Sequence, residues 1–243
     1  MNLEEAIAKI KPLDHNAMEI AQKRWDSIAK PLHSLGKLET LLIQIAGITG
    51  NAEVDLSRRG LIAMCADNGV VEEGVTQTGQ EVTAIVAENF LKYDTSVGVM
   101  CKQNHAEIFP VDMGMVTDTK VRTDHKIAYG TQNMTKGPAM TREQAVKGLE
   151  AGIDMVRELN DKGYRILATG EMGIGNTTTS SAVASVLLKQ PVEEMTGRGA
   201  GLTSEGLVRK INAIKKAIAL NKPDPADAID VLAKVGGLDI AGM

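Results

Sequence analysis

Aromatic residues make up only 2% of the 243-residue chain: two Phe, three Tyr and one Trp. So few rings exclude the stacking platforms with which proteins hold single-stranded nucleic acid. A formal net charge of −4 offers no positive field for a phosphate backbone either, so no nucleic-acid partner is expected. Cysteine is equally scarce. Cys65 and Cys101 lie far apart with no Cys-x-x-Cys pair, which excludes a disulfide framework and fits a reducing, cytoplasmic setting. Cys65 sits inside the apolar run Leu61–Ala66 and reads as a buried filler rather than a nucleophile. His15, His33, His105 and His125 fall at no ligand spacing with cysteines or carboxylates, so neither a metal nor another cofactor is expected. No apolar stretch approaches the roughly 18 residues of a membrane span. The acidic start, Met1-Asn2-Leu3-Glu4-Glu5, lacks the basic-then-apolar order of a signal peptide.

What remains is 43% hydrophobic and 24% charged, a balance that supports a packed core of aliphatic residues and methionine. Residues 14–30 carry no Gly or Pro before Pro31, and Leu38, Leu41, Leu42 and Ile45 recur at helical spacing. Residues 1–50 are therefore expected to form a small N-terminal helical lobe. From residue 51 onward an α/β domain is expected. Leu61–Ala66 and Ala106–Val111 read as strands, the first a continuous apolar run covered on both faces. They end in Asp67-Asn68-Gly69 and Asp112-Met113-Gly114. A helix is expected over 80–93, and a short strand near Ile127-Ala128 inside the polar stretch 115–140. Thr141-Arg142-Glu143-Gln144 has the form of a capping box, and Tyr164–Thr169 reads as the next strand. Alternating strands and helices imply a Rossmann-like parallel sheet flanked by helices.

Ligands of such sheets bind at the carboxyl ends of the strands. The richest turn there is Gly170-Glu171-Met172-Gly173-Ile174-Gly175-Asn176, followed by five hydroxyl residues, Thr177 to Ser181. Gly173 and Gly175 allow close backbone approach to an anion, and the following helix aims its free N–H groups at it. No Walker lysine or dinucleotide fingerprint is present. An anion cradle and a plain helix cap stand about level on this reading, with the hydroxyl run tilting it toward the cradle. A second glycine turn, Gly197–Leu202, also opens a helix, with Thr203 or Ser204 as cap. Glu171 would be repelled by a phosphate, so it should aim at an organic part of the ligand, where it can take a proton. At about 100° per residue, Leu207, Ile211, Ile214 and Ile218 form one helical face with Lys210 at its edge. An edge lysine reads as a snorkelling surface residue; the alternative is that it swings toward phosphate or Glu171.

The segment Gly170–Thr178 resembles the signature of the nicotinate-nucleotide:5,6-dimethylbenzimidazole phosphoribosyltransferases. Further motifs follow in the family's order: Ser34-Leu35-Gly36-Lys37-Leu38-Glu39, Ala66-Asp67-Asn68-Gly69-Val70, Glu73–Gln77, Glu81-Val82-Thr83, Val111–Gly114, Gly130–Asn133, Gly137–Thr141, Gly197–Leu202 and Gly236–Ala241. The resemblance covers nearly the whole chain from about residue 20. It implies a homodimer that transfers the 5-phosphoribosyl group of nicotinate mononucleotide to 5,6-dimethylbenzimidazole or a related base, with inversion at the anomeric carbon. It also implies phosphate contacts at Gly173, Gly175, Asn176, Thr177, Thr178, Gly199, Ala200 and Gly201. Glu171 and Lys210 would be the catalytic pair, and Gln77, Val82 and Ile85 would border the base. Asn68 stands where many members have histidine, and His33 where many have glycine. Members continue beyond Gly236–Ala241 to a C-terminal glutamate proposed as general base, whereas Met243 is the last residue here. Three expectations compete: a shortened form of the enzyme with poor turnover, one half of a split enzyme, or Glu171 acting as sole base. The non-enzyme alternative is an inactive nucleotide-binding partner subunit.

Overall fold

The computed structural model describes residues 1–243. The chain divides into two compact units: Glu4–Ser57, and Arg58–Met243 together with Met1–Leu3.

The first unit holds most of α1 (Leu3–Ala8), then α2 (His15–Ser27) and α3 (Lys37–Thr49). The Asp14 side chain caps α2 by accepting from Ala17 N–H at 2.9 Å. The two longer helices approach closely, since a side chain on Gly47 would strike Met18. Lys30 and Glu39 form a buried ion pair at 2.9 Å, and Glu39 also accepts from Leu35 N–H. Leu32, Leu35, Leu38, Leu41 and Ile48 are left exposed, an apolar surface that this unit does not bury by itself.

The second unit is built on three parallel strands, β1 (Arg59–Ala66), β2 (Ala106–Gly114) and β3 (Ile166–Met172), in the order β2-β1-β3. The parallel α/β sheet read from the sequence is what forms. β1 lies between the others and buries most of its length, as its unbroken apolar run dictates. Between β1 and β2 run α4 (Glu81–Lys92) and α5 (Ser96–Gln103); α6 (Arg142–Asp161) leads into β3. After β3 come α7 (Asn176–Leu188), α8 (Val192–Met195), α9 (Ser204–Asn221), α10 (Ala228–Val235) and α11 (Leu238–Gly242). The capping box at Thr141 is present, with Thr141 and Gln144 bonded reciprocally. No helix is long and apolar enough to cross a membrane.

Two readings of the loop region need correction. β2 does not stop at Val111 but continues through Asp112-Met113-Gly114. Ile127-Ala128 is not a strand; the chain bridges β2 at Arg122 and otherwise meets it through single bonds, Ile127 N–H to the Met113 carbonyl and Gly130 N–H to the Gly114 carbonyl. These isolated bonds cover the outer edge of β2 without adding a strand, one of the ways sheets close a free edge.

Candidate active site

β1, β2 and β3 end side by side, and the turns that follow them converge there. After β3 the chain passes through Gly173-Ile174 to Gly175, whose φ of +95° is open to glycine, and enters α7 at Asn176. The second glycine turn lies against the first: a Cβ on Gly199 would stand 2.8 Å from Thr177 Oγ1 and 3.4 Å from Lys210 Nζ. Between the turns is a cavity of about 120 Å³. Gln77, Gly175, Asn176, Thr177, Gly199 and Ala200 line it, so six of the sequence-read residues meet at one place. Gln77 Nε2 donates across its mouth to the Gly201 carbonyl.

Lys210 is where the sequence reading fails most. It is not at a solvent edge but 1% exposed, because the buried face of α9 runs through Gly206, Lys210, Ala213, Ile214 and Ala217. That face joins Gly206, Ala213 and Ala217 to Ile214, whereas Leu207, Ile211 and Ile218 are only half-buried. Lys210 Nζ donates to Thr177 Oγ1 at 2.7 Å and to the Gly197 carbonyl at 3.2 Å. Burial lowers its pKa, and no ion pair offsets the loss of water.

Glu171, near the end of β3, is half-buried and accepts a hydrogen bond from Asn176 Nδ2. The same Asn176 turns its Oδ1 back to Thr177 N–H at 2.7 Å, and Thr178 N–H bonds the Gly175 carbonyl at 2.9 Å. The expected row of free amides at the start of α7 is thus partly occupied from within.

Other sequence-read residues stand outside the cavity. Gly173 leaves room for neighbours, since its Cβ would meet the Ala66 carbonyl and Asp239 Oδ2. Thr178 is fully buried with no partner for its hydroxyl. Val82 is half-buried and Ile85 exposed on α4, which is tied to the turn by Ile174 N–H donating to Thr83 Oγ1 at 3.0 Å.

Three participants carry no role in the sequence reading. Arg198 lines the cavity and is held by its bonds to the Leu202 carbonyl and Ser204 Oγ, at 2.8 and 3.1 Å. Asn68 and Asp239 are both fully buried and bond to each other at 3.0 Å, Nδ2 to Oδ2. Burial pushes Asp239 up to about 7, and the Glu171 charge adds to the push. Burial likewise raises Asp67, whose Oδ2 accepts from Val116 N–H at 2.8 Å. The position of Arg198 inside the second glycine turn is a usable signal. The Asn68–Asp239 contact spans 171 residues and carries none.

No three His, Cys, Asp or Glu side chains gather as a metal site. Cys65 is buried and its thiol pKa pushed up, in keeping with a filler. A larger groove of about 450 Å³ between α6, β1 and α11 is apolar and brings in neither glycine turn.

This arrangement, a buried lysine and an arginine beside two glycine turns with a carboxylate next to them, suits an anionic ligand that must also lose or gain a proton. A family model described as Phosphoribosyltransferase matches residues 10–243. A nicotinate-nucleotide–dimethylbenzimidazole phosphoribosyltransferase of Ruminiclostridium cellulolyticum is 53% identical, with 100% of this chain and 70% of that protein aligned. The Clostridium tetani protein of the same name is 48% identical over 99% of this chain and 67% of its own length. Among solved structures, CobT from Thermus thermophilus superposes with a TM-score of 0.85 at 35% identity, covering 93% of this chain and 69% of that one. The chain belongs to the nicotinate-nucleotide–dimethylbenzimidazole phosphoribosyltransferase family.

Proposed function

We propose that the chain transfers the 5-phosphoribosyl group of nicotinate mononucleotide to 5,6-dimethylbenzimidazole or a related base, giving α-ribazole 5′-phosphate and nicotinate. The observation that carries this reading is Lys210. A buried ammonium held only by a hydroxyl and a carbonyl is costly unless an anion completes its shell. A phosphate in the cavity lined by Arg198, Thr177, Gly199 and Ala200, with Lys210 bonded to Thr177 beside it, would do so.

With the phosphate there, the imidazole nitrogen attacks the anomeric carbon from the face opposite nicotinate. The new C–N bond forms as the old one breaks, its electron pair passes to the pyridine nitrogen, and configuration inverts. The imidazole N–H proton goes to Glu171, which Asn176 orients. Alignment of the two rings supplies much of the rate, and Gln77, Val82 and Ile85 border the incoming base in this reading. The exposed leucines of the Glu4–Ser57 unit support a homodimer, and two free buried cysteines support a cytoplasmic setting.

The test is chromatography of α-ribazole phosphate made by the purified chain, with Glu171→Gln alongside. We expect product from the parent and a loss of about 10²–10⁴-fold in kcat for the variant. Equal rates from both would remove Glu171 from the mechanism. Absence of product together with absence of thermal protection by nicotinate mononucleotide would remove the function itself.

A further inference from the structure

Asp239 is wholly buried in a surrounding that supplies no countercharge. Of the elements packed against α11, β3 brings Glu171 and β1 the Cys65 thiol. α6 meets it through Gly148 and Gly152, β2 through Met113 and Gly114, and α7 carries no charged residue. A carboxyl in such a place weakens the fold. Its pKa is about 7 when folded against an ordinary 3.8, so the stability present below about pH 4 is drawn down as pH rises toward 7. Groups retained at such cost cluster where function needs them.

Its contacts point to what it does. Asp239 Oδ2 fills the space that a Gly173 side chain would take, 2.3 Å from the Cβ position, and so lies directly under the glycine turn. It accepts from Asn68 Nδ2 at 3.0 Å, and the same Nδ2 stands 3.5 Å from the Ile174 carbonyl. Asn68 in turn receives Gln80 on its own carbonyl. Two residues beyond Ile174 is Asn176, which holds Glu171. We propose that Asp239 is a positioning residue of the transfer reaction: through Asn68 it seats the Gly173–Asn176 turn, and with it the Glu171 carboxylate, beside the phosphate cradle. The inference rests on the phosphoribosyl-transfer reading above.

Asp239→Asn separates this role from a structural one. The near-isosteric amide removes the buried charge but has one acceptor oxygen where the carboxylate has two, so it can serve Asn68 Nδ2 or Ile240 N–H and not both. At pH 8 the variant should melt at a higher temperature than the parent, yet transfer should fall by about 10- to 100-fold in kcat. Asn68→Ala, which leaves Asp239 in place, should show a similar loss of kcat. A kcat for Asp239→Asn within about twofold of the parent overturns the proposal, by the same scale of geometric effects. So does a melting temperature that falls together with kcat, which is what a merely structural residue gives. If the parent makes no product but is protected by nicotinate mononucleotide, binding is read in place of turnover; no product and no protection together remove the transfer reading instead. In the binding comparison, weaker protection of Asp239→Asn than of the parent supports positioning, and equal protection overturns it.

Discussion

The ends of β2 and β3 each hold a lysine out of water, and the two are built oppositely. At β2, Lys126 stands 3.1 Å from buried Asp112 and 3.2 Å from Asp118, with its ammonium 3.8 Å from the Tyr129 ring centre. Burial works against its charge, but the two carboxylates outweigh burial and its pKa rises. At β3, Lys210 has a hydroxyl and a carbonyl only, and its pKa falls. One site is electrically complete and the other is one anion short. On the proposed reading, that difference, more than the glycine motifs, singles out the β3 end as the place for an anionic ligand.

The comparison can be broken at either end. Lys126→Met should strip Asp112 of its partner and cost about 3–5 kcal/mol of stability in a denaturant titration. Its kcat should not change at temperatures where the variant is folded; a collapse of kcat in a folded Lys126→Met would end the division of labour. Lys210→Met should do the reverse. A charged hydrogen bond is worth about 1.5–3 kcal/mol, so kcat/KM should fall by about 10²-fold while the melting temperature holds or rises. A large loss of stability there would mean that Lys210 is a structural residue like Lys126. Thr177→Val gives the smallest effect. It removes one neutral acceptor from Lys210, and a drop in kcat/KM of about tenfold or less, read by the same kinetics, would fit.

Much of the frame is legible in the sequence because it depends on local pattern. The unbroken run Leu61–Ala66 forms β1, and Thr141 with Gln144 opens α6. Both glycine turns read as strand or helix ends, and the structure brings them to one cavity. The misses share a cause. Lys210 falls at an edge only if bulky residues define the buried face, whereas Gly206, Ala213 and Ala217 let neighbouring elements come closer than bulk allows. The expected strand at Ile127-Ala128 has two suitable residues but only scattered bonds to β2. Asn68 and Asp239 meet only after the whole second unit has assembled, and no spacing announces that.

Gly148 and Gly152 on α6 show a kind of constraint that no surface survey would detect. A methyl at Gly148 would stand 2.5 Å from the Ala241 methyl, and one at Gly152 would stand 2.2 Å from the Gly242 carbonyl. The seat of α11, and of Asp239 at its start, is therefore encoded as missing mass some ninety positions upstream. Glycine to alanine, the mildest substitution available at those two sites, would shift the seat of α11, although neither residue lines the cavity between the glycine turns.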